Sequence, residues 1–233
     1  MINCINILIN NINILKKIFF FVLISIIKMS EEGIRKDIKV ILLGDSSVGK
    51  TSIILRYYKD QFDINSLSTI GSTYVTKDLK RGNVTYALNI WDTSGQEKYH
   101  SVTKLFIQNA NIILLVYSIV SQESFNTLEY WYNSALDICD NIDKIVFAVI
   151  GNKSDLFESE NCISEEDPQK FAGDKKAIFK LVSAKVDKKG LDSLFEQLLD
   201  EYIKKNPEPI VEEKSFKISQ AKKEKKKGRN QCC

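Results

Sequence analysis

Residues 38–51 read IKVILLGDSSVGKT. Up to Leu43 the run is apolar apart from Lys39, which predicts a buried strand, and a helix is expected from about Lys50. Between them, Gly44-Asp45-Ser46-Ser47-Val48-Gly49-Lys50-Thr51 fits G-x-x-x-x-G-K-[ST] in the strand-to-helix setting that this pattern requires. Glycines let such a loop curve tightly, so that successive backbone N–H groups from Gly44 through Ser52 face a polyphosphate. Lys50 then reaches the outer phosphates, and the Thr51 hydroxyl can ligate Mg²⁺. A chance glycine-rich turn is the competing reading, and the joint presence of fingerprint and setting argues against it.

Outward from this loop the chain alternates short apolar runs with longer amphipathic stretches, the pattern of a mostly parallel sheet with helices on both faces. Buried strands are expected at Ile38 to Gly44, Ala110 to Ser118, Lys144 to Asn152 and Ala177 to Ser183. Thr73 to Lys80 and Val84 to Asp92 flank Arg81-Gly82-Asn83, which predicts a hairpin and therefore one antiparallel edge strand in a six-stranded α/β sheet. Helical spacing runs from Ser124 to Ile138, with Phe125, Leu128, Trp131, Tyr132, Ala135 and Leu136 on one stripe, and from Leu191 to Ile203. Core packing is the reading taken for these aromatic residues.

Of the net charge of +3, the segment from Asn206 onward supplies +4, so the remainder carries −1. A near-neutral body argues against nucleic acid as a partner, because phosphate contacts need a basic surface. Cys4, Cys139 and Cys162 are scattered and His100 stands alone, which supports neither a disulfide framework nor a zinc site. A reducing cytosolic setting follows. Residues 1–28 are low in complexity, with an apolar run from Ile18 to Ile27 that is too short to span a bilayer. Three readings stay open for this leader: a non-structural segment ahead of a working start at Met29, a peripheral membrane segment, or a secretory signal. It is left out of the fold. The domain is placed at 36–205, and 206–233 is expected to be a disordered basic tail ending in Cys232-Cys233.

Three further segments carry chemistry. WDTSGQE, Trp91 to Glu97, puts Asp92 at a strand's carboxyl end, where its carboxylate can hold the Mg²⁺ shell; Gly95 lets a backbone N–H approach a terminal phosphate, and Gln96 can orient an attacking water. NKSD, Asn152 to Asp155 with Lys153 between them, also starts where a strand ends. Asp155 can accept the ring N–H and the exocyclic amino hydrogens of guanine, a pattern that adenine lacks. Ser183-Ala184-Lys185 can bring a backbone N–H to the guanine carbonyl. All lie at strand carboxyl ends, where open α/β sheets bind ligands.

In motif content and order, the sequence resembles the Ras-superfamily small GTPases from about Asp37 to Lys205 and in the tail. Within them it is similar to the Rab branch: Ser68-Thr69-Ile70-Gly71 resembles the first switch, WDTSGQEKYHS the second, and Cys232-Cys233 the lipidation signal, while Tyr99-His100-Ser101 resembles the early-endosomal Rabs. The resemblance implies a P-loop NTPase fold and a slow GTPase that switches between GTP and GDP forms in vesicle trafficking. It implies that Thr69 binds Mg²⁺ and senses the terminal phosphate, that Phe62 stacks on the base, and that Gln96 takes part in hydrolysis together with Lys50 and Thr69. Implied partners are an exchange factor, a GTPase-activating protein, a GDP-dissociation inhibitor or escort protein, and effectors. The implied location of the monomer is the cytosolic face of an endosomal or other vesicle membrane, reached through prenyl groups on Cys232 and Cys233. Two anchors hold a membrane stably where one binds marginally, and the lysines ahead of them add attraction to an anionic leaflet.

The chain departs from the family pattern at Ser94, where Rabs usually have Ala, and at Ser72-Thr73-Tyr74, where Val-Asp-Phe is common. Ser46 stands where Ras proteins have Gly, and Ser118 where Asp is frequent; the latter is read as a structural change. The alternatives are a non-hydrolysing GTP-binding scaffold, an ATP-using P-loop enzyme and a lumenal enzyme. Gln96 argues against the first, Asn152 to Asp155 against the second, and the terminal cysteines against the third.

Overall fold

A computed structural model describes residues 16–17, 19–20, 34–63, 73–93, 105–157 and 162–207. The expectations for Thr69, Ser94 to Ser101 and the tail beyond Pro207 lie outside these residues. Of the leader, Lys16, Lys17, Phe19 and Phe20 are described, helical and solvent-exposed.

Six strands form one sheet: β1 (Ile34–Leu43), β2 (Thr73–Arg81), β3 (Val84–Asp92), β4 (Ile112–Ser118), β5 (Val146–Asn152) and β6 (Ile178–Leu181), in the order β2-β3-β1-β4-β5-β6. Among the described residues only the β2/β3 pair is antiparallel, closing on Arg81 opposite Val84 around Gly82, whose φ of 58° suits a tight hairpin. The expected fold class is therefore observed, down to the antiparallel edge. The helices are α1 (Lys50–Lys59), α2 (Gln122–Asn126), α3 (Leu128–Ile138), α4 (Glu166–Asp174) and α5 (Lys188–Lys205).

Strand alternation sorts the core into two layers. On β1, Val40 and Leu42 face a cluster with Ile53 and Tyr57 of α1 and Leu194 and Phe195 of α5, where the Tyr57 and Phe195 rings stack at 3.8 Å. Ile41 and Leu43 face the opposite cluster, with Leu128, Trp131 and Ala135 of α3 and Ala172 of α4. β4 and β5 are buried at all seven positions each, as strands covered on both faces must be, which is why both read as unbroken apolar runs. Each large aliphatic side chain so enclosed contributes about 1.5–3 kcal/mol.

Several boundaries differ from the sequence expectation. β1 starts at Ile34, because Ile34 to Asp37 pair in parallel with Val84 to Ala87 although half of these positions are polar and exposed. The stretch expected as one helix from Ser124 is divided at Thr127, after a short α2 capped by Ser121, whose side chain accepts from the Ser124 N–H. α4, which the sequence reading does not single out, contains Pro168, which a first helical turn tolerates because no backbone donor is needed there. The long α5 opens on Asp187, whose carboxylate accepts from Gly190 N–H at 2.8 Å, and ends on Lys204 and Lys205, favourable at the negative end of the helix dipole.

Candidate functional site

Because β1, β3, β4, β5 and β6 run parallel, their carboxyl ends share one edge of the sheet. That edge gathers Gly44 to Thr51 after β1, Asp92 at the end of β3, Asn152 to Asp155 after β5, and Ser183 to Lys185 after β6. β2, running the other way, begins there, with Thr73 paired to Asp92. Thr69 and Gly95 lie outside the described residues. A strand-order reversal at β1 makes the same edge the expected ligand crevice of an open α/β sheet.

The loop between β1 and α1 depends on two glycines. At Gly44, φ is 146° and an added Cβ would lie 2.1 Å from the Val116 carbonyl oxygen; at Gly49, φ is 95° and it would lie 2.3 Å from Asn152 Nδ2. Ser47 also adopts the left-handed region, at φ 62°. α1 begins with no side-chain cap and no acidic residue in its first turn, so its leading N–H groups and positive dipole end are left to an anion. Lys50, 5% exposed, bends back to donate to Gly44 O at 2.8 Å and Asp45 O at 2.9 Å, which fixes its ammonium inside the loop. Ser52 follows on the half-buried side of α1.

Thr51 Oγ1 donates to Asp92 Oδ2 at 2.8 Å. Asp92 is buried, and its other carboxylate oxygen has no hydrogen-bond partner among the described residues. Burial pushes the Asp92 carboxyl above the usual range, opposed by the Thr51 hydrogen bond and by the nearby Lys50 charge. A hydroxyl and a carboxylate with a buried unpaired oxygen form a hard oxygen donor set of the kind Mg²⁺ takes. Among the described residues no cluster of three or more His, Cys, Asp or Glu side chains could hold a metal. The set here is thus a partial one.

Asn152 ties the two halves of the edge together. Its Nδ2 donates to Val48 O at 2.8 Å and its Oδ1 accepts from Ala184 N at 3.1 Å. Asp155 accepts from the Ser183 hydroxyl, which is fully buried and itself accepts from the N–H groups of Lys185 and Val186 at 3.2 and 3.3 Å. Lys185 Nζ stands 3.9 Å from Asp155 Oδ2 on a half-exposed side chain, so it holds that oxygen only loosely. Lys153, at φ 67°, joins Asp45, Ser46 and Ser47 in lining a cleft of about 740 Å³. Phe62 lies beyond the end of α1, and its described contacts are with the core cluster of Tyr57 and Phe195.

Two residues at this edge escape a reading of the sequence. Arg56 of α1 donates from Nε to Ala184 O at 2.8 Å and from Nη2 to Lys185 O at 2.7 Å, bracing the loop after β6 from the helix that carries Lys50. No local pattern announces contacts to residues 128 and 129 positions away. Trp131 of α3 is buried as its helical spacing predicts, and its indole N–H reaches Asp45 Oδ1 at 3.1 Å. The available signal is the rule that a buried indole needs an acceptor. Ser118 is buried at the end of β4, its N–H donating to Ser124 Oγ at 3.0 Å, while its own hydroxyl has no partner among the described residues.

Residues 39–204 match the Ras family model. Mouse Ras-related protein Rab-17 is 42% identical over 149 residues, 64% of this chain and 68% of that protein. The chain belongs to the Rab branch of the Ras family. Arabidopsis Ras-related protein RABA4a is 35% identical over 182 residues, covering 78% of this chain and 76% of its own, and fission-yeast GTP-binding protein ypt5 is 38% identical over 148 residues, 63% and 69%. On this Rab chain Tyr74 of β2 stacks on Trp91 of β3 with centroids 5.1 Å apart, and Trp91 meets Phe106 at 6.0 Å. Tyr74, one of the departures from the family pattern, is 60% exposed.

Proposed function

We propose that the carboxyl edge of the sheet is the guanine nucleotide site of this Rab GTPase, with the loop from Gly44 to Ser52 on the phosphates and Asn152, Lys153, Asp155, Ser183, Ala184 and Lys185 around the base. As a Rab-family small GTPase the protein binds guanine nucleotide, hydrolyses GTP and acts in membrane trafficking, with regulators and effectors as partners. The observation that carries the site assignment is Asn152, which hydrogen-bonds to Val48 of the phosphate loop and to Ala184 of the base loop at once. The two bonds together set the spacing between these loops.

In this reading, backbone N–H groups of Asp45 to Thr51 and the Lys50 ammonium are already in place before the substrate arrives, so charge on the phosphates is met without reorganisation. Thr51 and Asp92 would hold Mg²⁺, joined by Thr69; the ion would neutralise phosphate charge. Asp92 Oδ1, buried and without a described partner, supports that assignment. Gln96 orients the attacking water, Gly95 and Thr69 report the terminal phosphate, and Phe62 stacks on the base, as in the resembling family. A partner supplying an arginine would raise the rate by about 10³–10⁵. Exposed Tyr74, stacked on Trp91 across β2 and β3, is part of the surface on which effectors read the bound state.

Single-turnover release of phosphate from GTP-loaded protein tests the hydrolytic part. Release above the buffer rate is expected from the wild type, and Gln96→Leu is expected to slow it by about 10²-fold, the scale on which a misplaced reactant costs rate. A wild type no faster than buffer, even with activating partners, would favour the scaffold alternative.

Prenyl groups on Cys232 and Cys233 are proposed to place the protein on the cytosolic face of an endosomal or other vesicle membrane. No helix among the described residues is long and apolar enough to cross a membrane. Tagged protein lacking both cysteines is expected to shift from the membrane to the soluble fraction. Unchanged fractionation would rule out Cys232 and Cys233 as the anchor.

A further inference from the structure

We propose that Trp131 is a positioning residue of the phosphate loop, its indole N–H holding the Asp45 carboxylate on the α3 side, away from the phosphate path. The inference rests on the reading that this loop binds nucleotide.

Asp45 is the second residue of a loop that receives a polyanion, and it places a carboxylate there. Like charges so close oppose each other, and a free carboxylate is also a competitor for the N–H groups that the phosphates need. The residue is held from two sides. Its carbonyl oxygen accepts from Lys50 Nζ at 2.9 Å, and its side-chain Oδ1 accepts from Trp131 Nε1 at 3.1 Å, across 86 positions of sequence. The indole can only donate, and the ring that carries it is 4% exposed. Leu128 and Ala135, one turn away on either side of Trp131 along α3, are fully buried, so the donor is carried on an anchored segment. Tyr130 covers the ring edge-on, with centroids 5.3 Å apart. The arrangement turns an awkward charge in the loop into a fastening between loop and helix, in which donor and acceptor each satisfy the other.

The chain contains two tryptophans, Trp91 and Trp131, so ¹⁵N-labelled protein loaded with GDP gives two indole N–H signals, one of them an internal control. Hydrogen exchange at the Trp131 indole is expected to speed up by about tenfold or more in Asp45→Ala, while Trp91 changes by less than about twofold. Release of fluorescent GDP supplies the functional arm. Trp131→Phe, which keeps the ring and removes the donor, is expected to raise the off-rate by about tenfold, the effect of one charge-assisted hydrogen bond. In an Asp45→Ala background, with no acceptor left for the indole, the same change is expected to stay within about twofold.

Equal effects of Trp131→Phe in both backgrounds would assign Trp131 to packing alone and overturn the proposal. So would an unchanged Trp131 exchange rate in Asp45→Ala, which decides the matter even if Trp131→Phe does not fold. Failure of the wild type to bind GDP would instead overturn the nucleotide reading itself.

Discussion

Asp155→Asn is expected to weaken GTP binding by about 10²–10⁴-fold and to shift preference toward a base carrying oxygen in place of the exocyclic amine. The proposed contact sets two guanine donors, the ring N–H and the amino group, against one carboxylate. Each charge-assisted hydrogen bond is worth about 1.5–3 kcal/mol, so losing both gives that range. The asparagine amide also turns a donor toward a donor, which xanthine, with a carbonyl at that position, would accept. The carboxylate is pre-set for this work: its side chain is 15% exposed, and the buried Ser183 hydroxyl fixes one oxygen. Titration of the variant with GTP and with the xanthine triphosphate checks both parts. Unchanged GTP affinity would detach Asp155 from base recognition.

Lys50→Ala is expected to lower affinity for GTP and GDP by about 10²–10⁴-fold, for two reasons that act together. The ammonium is proposed to meet phosphate oxygens with charge-assisted hydrogen bonds of about 1.5–3 kcal/mol each. It also holds the Gly44 and Asp45 carbonyl groups, so its removal leaves the loop without its internal tie. Measured by nucleotide titration with circular dichroism as a fold check, the loss should appear in a folded protein. The loop glycines, Asn152 and the helix start survive the change, which should therefore affect the phosphate end more than the base end. Lys50→Arg should not restore binding, because the enclosed space around the ammonium suits a compact point charge rather than a planar fork.

What the sequence reveals follows from how local each signal is. Strand-to-helix punctuation at Gly44 to Thr51 is confined to a few residues, as is the hairpin around Gly82, and both could be read directly. The two-sided burial of β4 and β5 writes itself as uninterrupted apolar runs. By contrast, the first residues of β1 are specified by pairing with Val84 to Ala87, a partner about 50 positions away, and their own composition is polar. Helix α4 is hidden for a similar reason: a stretch with Pro168 and Gly173 is held by packing of Ala172 and Phe171 beneath it rather than by propensity.

The candidate site divides along the same line. Residues that face the proposed ligand carry motifs, because the ligand constrains their types and spacing together. Residues that face those residues do not. Arg56 and Trp131 are each compatible with an ordinary helix, one as a basic residue in a last turn and the other as a core aromatic. Only the folded chain brings them to Ala184 and to Asp45.

Competition between GTP and ATP for the purified full chain, with Mg²⁺ supplied, decides whether Asp155 selects guanine. A dissociation constant for GTP at or below about 1 µM is expected, with at least about 10³-fold weaker binding of ATP, since adenine would leave the Asp155 carboxylate desolvated and unmatched. Equal affinity for the two, or no binding of GTP at that level, would contradict it.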